Sequence, residues 1–375
     1  MKTHVFIVND DTFPIHLKYL FAGTGAKDKD TDISLLADIK RVRPGDFVIF
    51  YIEATTKVKG GFYGIFKIAN QSPLVFHTPG QQGYEPNLNK KLIYRTLIEP
   101  YEVYSEGVPE WEALDKLPLY ATDIQWSLIY RKLKGKRGCT PLLPWEADRL
   151  INLIRNKNAG KPIVTANTTE QFTGSFDWDK TSRKIITTQN QNPQNYIYPI
   201  TFNFKVLEEI CKLQKRKRAY EILLQLYFTE NIGFNNMLDP IVGNNVIWFG
   251  NEVACGVGMQ KIDILTICQN GSRKEYRIIE LKDEPIQPEV VDQIEYYVNW
   301  ASQDSGRHLD GAFSWNIQPV IVAPPHNPRN WKDVVNAFKN YNRKKFSLPI
   351  MYFEFKIQCD TNTYSINFTR VDYEI

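Results

Sequence analysis

The sequence predicts two folded parts of α+β and α/β class: a mostly β domain over 1–156 and an α/β domain with a mixed central sheet over 201–375, joined by a polar linker over 157–200. Three observations predict this. Apolar, glycine-marked runs at 47–51 and 60–68 read as paired strands. Lys261 to Lys282, KIDILTICQNGSRKEYRIIELK, reads as two alternating strands around a tight turn, with helical periodicity after it. Between the two parts, Asn156 to about Pro199 is rich in Asn, Gln, Thr and Ser, with too little apolar content to predict a core of its own.

Length and composition bound the function. A chain of 375 residues is long enough for two cores, and 43% hydrophobic with 13% aromatic residues suits a globular protein. No apolar run approaches the roughly 20 residues of a membrane helix, and MKTHVFIVNDD lacks a signal-peptide pattern, so a cytoplasmic protein without a membrane partner is expected. The five cysteines are scattered and free of CxxC spacing, which predicts neither a disulfide framework nor a zinc site. A net charge of +4 says little about partners. Local clusters say more: Lys132, Lys134, Lys136 and Arg137, and Lys212 with Lys215 to Arg218, are dense enough either to neutralise phosphates or to form a solvated face.

In chain order, His4 to Val8 predicts a strand and Pro14 to Phe21 a helix. Arg43-Pro44-Gly45-Asp46 turns into the strand Phe47 to Tyr51, which pairs with Gly60 to Ile68. Leu92 to Val103 is a further strand, and Glu146 to Arg155 a helix whose apolar side is Ala147, Leu150, Ile151 and Ile154. Within the linker only Lys184 to Ile186 suggests a short strand. Val206 to Phe228 predicts one or two helices, Glu289 to Ala301 another, Gln318 to Ala323 a strand, and Trp331 to Tyr341 a helix. Strands at 350–357 and 363–371 end the pattern.

With Asn270-Gly271 as the hairpin turn, counting sets Gln269 against Ser272, Ile262 against Ile279 and Asp263 against Ile278. Glu280 then stands one diagonal step from Asp263 on the same face, and Lys282 shares that face. Two converging carboxylates suit Mg²⁺ (or Mn²⁺), which lowers the pKa of a bound water and offsets phosphate charge, with Lys282 orienting the water. The same three residues on an exposed strand would form only a weak ion pair.

Asp263, sixteen residues, then Glu280-Leu281-Lys282 resembles the D…ExK signature of the PD-(D/E)XK nuclease superfamily. Gln293 and Tyr297, one turn apart, resemble the QxxxY element of its RecB-like branch, and Trp248 to Val253 resembles its first core strand. The resemblance implies that Asp263 and Glu280 hold the metal, Gln293 orients the site, and Tyr297 supports the helix or touches the nucleic-acid backbone. It further implies a glutamate on the first helix turned towards the metal, matched here by Glu221.

The N-terminal landmarks resemble the PUA-like superfamily, in its EVE and YTH branch: an opening strand, a PGDxVxFY turn and strand, GxFYGIxKI, and a late KxKGxRG segment at Lys132 to Gly138. That likeness implies a small β-barrel holding a flipped, modified base in an aromatic pocket. Asn9, Tyr51, Phe62, Tyr63 and Trp126 are the candidates; Phe62 and Tyr63 point to opposite faces, so only one of them can line it. The same aromatics also suit a plain core.

Together the resemblances imply a modification-dependent restriction endodeoxyribonuclease: an N-terminal reader of modified DNA, most simply double-stranded, and a C-terminal Mg²⁺-dependent phosphodiester hydrolase used in defence. One site cuts one strand, so both strands require a homodimer or two nicks. Two other readings stay open: a repair nuclease for mismatched or branched DNA, and a non-cleaving reader of modified RNA or DNA.

Overall fold

The computed structural model describes residues 2–25, 32–69, 75–76, 92, 94–115, 138–166, 174–189, 204–255, 260–307, 314–360 and 363–373. The chain divides into two compact units, Met1–Asn203 and Phe204–Ile375.

The first unit is mixed α+β. Its strands are β1 (Thr3–Val8), β2 (Phe21–Thr24), β3 (Phe47–Ile52), β4 (Gly61–Ile68), β5 (Val75–Phe76), β6 (Tyr94–Pro100), β7 (Glu102–Val103), β8 (Val108–Pro109) and β9 (Cys139–Leu142). The main path runs β2-β6-β4-β3-β1-β9, with β1 parallel to β3 and the other pairs antiparallel. Between Val48↔Phe66 and Phe50↔Tyr63, the single residue Ile49 faces both Gly64 and Ile65. Gly64, at φ 67°, makes this bulge at little cost because it has no Cβ.

The bulge decides which aromatics go where. On one face Ile49, Tyr51, Phe62 and Ile65 pack under Ala147, Leu150, Ile151 and Ile154 of the helix Pro144–Lys157. On the other, Phe50 and Tyr63 pack against Phe13 of the helix Phe13–Tyr19, and Phe66 packs edge-on against Phe50.

That second face is covered by residues expected to lie in a linker. The span 157–200 contains β10 (Val164–Thr165), paired with β7, and a hairpin of β11 (Ser175–Asp179) and β12 (Lys184–Thr188). Phe176, Trp178 and Ile185 are buried. Trp178 packs 5.2 Å from the Phe13 ring and 4.8 Å from the Tyr63 ring, and its Nε1 donates to Asp10 Oδ1 at 2.9 Å. The alternation Phe-Asp-Trp-Asp gives this hairpin an apolar side that the polar composition around it conceals. The described part of the expected linker is therefore folded into the first unit.

The second unit holds a six-stranded mixed sheet, in order β13 (Val246–Cys255), β14 (Gln260–Asn270), β15 (Arg273–Leu281), β16 (Ser314–Ala323), β17 (Met351–Cys359), β18 (Tyr364–Arg370). β15, β16 and β17 run parallel; the outer pairs are antiparallel. The helices Val290–Arg307 and Trp331–Lys344 make the two crossovers that parallel neighbours require. Alternation along β17 shows both sheet faces covered: Tyr352 meets Phe338 of the second crossover helix, whereas Phe355 meets Tyr220, which caps the helix Glu221–Asn231. A sheet covered on both faces explains why Ile262 to Cys268 of β14 and Ile278 to Leu281 of β15 are buried without a break.

Two expectations need correction. The turn is Gly271-Ser272, with Asn270 paired to Arg273, so Ile279 faces Ile264 and Ile278 faces Leu265, a slip of two residues from the expected register. Only Gly271 takes a positive φ, 61°, as the first position of a type II′ turn demands; the expected Asn270-Gly271 turn would need two such residues. Second, Cys211 and Cys359 form a disulfide that ties the helix Val206–Lys215 to the end of β17. Their separation of 148 residues, with no local spacing, hid the pair from a sequence reading.

Candidate active site in the second unit

Continued one step beyond Ile264↔Ile279, the observed register brings Asp263 opposite Glu280. Both side chains therefore share one face directly, rather than diagonally. Asp263 Oδ2 accepts from the Leu281 backbone N–H at 2.8 Å, and Oδ1 accepts from Gln225 Nε2 at 2.8 Å. Lys282 follows Glu280 by two residues and returns to its face, with Nζ 2.5 Å from Glu280 Oε1.

The crossover helix after β15 adds the second half. Gln293 and Tyr297, four residues apart, stack on one helix face. Gln293 Oε1 accepts from Lys282 Nζ at 3.5 Å, Gln293 Nε2 donates to Tyr297 Oη at 2.6 Å, and Tyr297 Oη donates to the Lys261 carbonyl at 2.7 Å. An unbroken chain of polar contacts thus runs from Glu280 back to the strand that carries Asp263. From the other side, Glu221 opens the helix Glu221–Asn231 and Gln225 follows one turn later.

These groups line one cavity of about 730 Å³, whose wall includes Glu221, Asp263, Glu280, Lys282, Gln293 and Tyr297. Gln225 and Glu252 also line it, and neither is among the expected site residues. Glu252 falls between the pairs Asn251↔Ile264 and Val253↔Ile262, across from Asp263, in a left-handed conformation at φ 44°. A non-glycine residue there is strained by roughly 1–3 kcal/mol, a cost that tends to gather at functional sites. Its carboxylate pairs with Lys261 Nζ at 3.0 Å.

The electrostatics favour bound positive charge. Burial, then the nearby Glu280 and Glu221, push the Asp263 carboxyl well above the usual range. Burial pushes Glu280 up to about 7 even though Lys282 opposes the shift. Glu221 is raised mainly by burial. Burial lowers the Lys282 ammonium, but Glu280 and its other acidic neighbours outweigh this and leave the pKa raised. Lys282 is therefore a charged donor at neutral pH and not a base.

The residues fit a hard divalent cation in donor type. All the candidate ligands are oxygens, as Mg²⁺ and Mn²⁺ require. Glu280 Oε2 and Gln225 Oε1 are buried without a hydrogen-bond partner among the described residues. In the same set no group of three or more His, Cys, Asp or Glu is gathered at metal-binding distance, which leaves Asp263 and Glu280 as the central pair.

The candidates in the first unit are dispersed. Tyr51 and Phe62 are buried in the core under the helix Pro144–Lys157, and Tyr51 Oη donates to Glu110. They pack the domain instead of lining a cavity, because alternation from the Gly64 bulge sends both inwards. Asn9 caps the turn into the first helix, its Oδ1 accepting from Asp11 and Thr12 N–H. Tyr63 lines a cleft of about 350 Å³ with Lys59, Gly107 and Arg183. Trp126, Lys132, Lys134, Lys136 and Arg137 lie outside the described residues.

No protein-family model matches this chain, and no curated protein matches it. Among solved structures, the chain is similar to human THYN1 protein in complex with 5-methylcytosine-containing DNA, at 12% identity over 41% of this chain and 97% of that one, with a TM-score of 0.29. A hypothetical protein from Leishmania major matches at 11% identity over 42% and 96%, TM-score 0.30. A protein from Pseudomonas syringae matches at 14% over 40% and 98%, TM-score 0.28. At scores of this size the likeness assigns neither fold nor ligand to this chain.

Proposed function

We propose that this protein is a divalent-cation-dependent endodeoxyribonuclease whose second unit hydrolyses phosphodiester bonds and whose first unit, a PUA-like reader, selects DNA carrying a modified base. The observation that carries the nuclease half is the buried pair Asp263 and Glu280 with Lys282 held against it. When bound there, Mg²⁺ or Mn²⁺ lowers the pKa of a water and offsets charge on the phosphate.

The chain's own residues do the rest. Asp263 is fixed by two donors and Glu280 by Lys282, so neither carboxylate has to reorganise on loading. Lys282, as a cation, donates to an oxygen of the attacking water or of the phosphate. Gln293 and Tyr297 hold Lys282 in register with Lys261 and thereby with β14. The acidic wall disfavours a phosphate until a cation is present, which makes cutting conditional on metal.

The test is a cleavage assay on one duplex, unmodified or carrying methylated or hydroxymethylated cytosine or methylated adenine, with Mg²⁺, Mn²⁺ or chelator. Cutting confined to metal and to one modified form supports both halves. Equal cutting of every form removes the reader, and no cutting under any condition removes the nuclease. A mismatched, unmodified duplex in the same series separates this reading from a repair nuclease.

A further inference from the structure

Gln225 lies one turn beyond Glu221 and is 3% exposed. In the ionised form that a cation requires, the Asp263 carboxylate only accepts hydrogen bonds, so the amide directs its nitrogen to Asp263 Oδ1, at 2.8 Å. That fixes the other end of the amide. Gln225 Oε1 is a buried acceptor with no donor among the described residues, as is Glu280 Oε2, and both residues line the same cavity. Two unmatched acceptors on residues of one cavity call for a ligand that brings either positive charge or O–H donors.

A hydrated divalent cation brings both. Mg²⁺ dehydrates reluctantly and keeps several waters, whose hydrogens are polarised and seek acceptors. Glu280 Oε2 stands where charge is needed; a neutral amide carbonyl suits a metal-bound water better than the ion itself. We infer that Gln225 is a positioning residue for the cation of the proposed nuclease reaction: its N–H sets the Asp263 carboxylate, and its carbonyl receives a water of the ion's hydration shell. The inference rests on the nuclease reading above.

The test uses the full chain with Mg²⁺ alone as probe. Calorimetric titration is compared for wild type and Gln225→Met, which keeps length and loses both polar groups, with the thermal midpoint checking the fold. Loss of an outer-shell partner is expected to weaken Mg²⁺ binding about 10–100-fold. Cleavage by the variant should recover as Mg²⁺ is raised, with KM for DNA unchanged, which lost packing alone would not produce. Should Gln225→Met fail to fold, Gln225→Asn decides: it keeps the amide but withdraws it by one methylene, and a weakening of about 10-fold or more is expected. Wild type that binds Mg²⁺ and cuts, with a folded variant binding equally tightly, overturns this inference alone. Wild type that binds no Mg²⁺ overturns both the nuclease reading and the inference.

Discussion

Lys282 Nζ sits 2.5 Å from Glu280 Oε1, and the same nitrogen reaches Gln293 on the crossover helix, so one side chain joins the end of β15 to the element that follows it. Glu280 is almost fully buried and Lys282 only partly so. Removing the cation strands a carboxylate in a low-dielectric wall. Lys282→Met is therefore expected to cost about 3 kcal/mol of stability, the lower end for breaking a buried pair. Urea denaturation checks this. In Lys282→Met/Glu280→Gln most of the loss should return, because no unpaired charge remains; additive losses would contradict the pairing. Both variants should lose cleavage by about 100-fold or more.

Asp263→Asn and Glu280→Gln should each abolish cleavage and Mg²⁺ binding while leaving affinity for DNA largely intact, since phosphate contacts elsewhere supply most of it. Calorimetry with Mg²⁺ and a filter-binding assay in chelator measure the two separately. Cleavage retained by either variant, or by wild type in excess chelator, would refute the assigned site.

The Glu280 shift gives a pH dependence whose sign follows from linkage. Its folded-state pKa is raised from 4.5 to about 7, so the folded state holds the proton more tightly than the unfolded chain. That contribution is fully present below about 4.5 and is lost as pH rises through about 7, roughly 3 kcal/mol if the whole shift is realised. Asp263 acts in the same direction. In chelator the thermal midpoint should fall over this window, less so in Glu280→Gln. Mg²⁺ binds the ionised form, so the midpoint gain from Mg²⁺ should grow from pH 5 to pH 7. A gain independent of pH would place the ion elsewhere.

Much of this site is legible in the sequence because its chemistry follows strand periodicity. Glu280 and Lys282 share a face by alternation, and the D…ExK spacing survives a hairpin register wrong by two residues, since a slip of two returns the same face. The slip arises because Gly271 suits either turn, and only the backbone distinguishes one positive φ from two. Gln225 carries no such signal: within ILLQLYF it looks like one polar residue in a buried run, and only its place four residues after Glu221 marks it. Glu252 is hidden for the opposite reason, since nothing in Gly-Asn-Glu-Val announces a left-handed residue in mid-strand.

Lys215 to Arg218 form an exposed run three residues before Glu221, and none of the four has an ion pair among the described residues. Lys212, by contrast, is held by Glu208 and Glu209. If the four free cations meet phosphates beside the cavity, replacing them with Gln should reduce the slope of log affinity against log salt by up to about 3–4 units. Replacing Lys212 should change the slope little. Equal slopes for wild type and the fourfold variant would return this run to a solvated surface.

The hairpin β11–β12 decides where the first unit can be cut. Phe13, Phe50, Tyr63 and Phe66 form an aromatic face that Trp178 and Phe176 close, with Trp178 and Arg183 both anchored on Asp10. A fragment ending at residue 156 would expose that face to water, at roughly 25 cal/mol for each Å² uncovered. Fragment 1–156 is expected to aggregate or unfold, whereas 1–203, the compact unit, should melt cooperatively. Trp178→Ala in the full chain should cost about 3–5 kcal/mol, the range for truncating a buried aromatic. Thermal denaturation followed by near-ultraviolet circular dichroism compares all three. If 1–156 proves as stable as 1–203, the hairpin is an ornament and the earlier boundary stands. If only 1–203 folds, it is the fragment with which to measure preference for modified over unmodified DNA, and a folded 1–203 that binds both equally removes the reader from the proposed function while leaving the carboxylate site untouched.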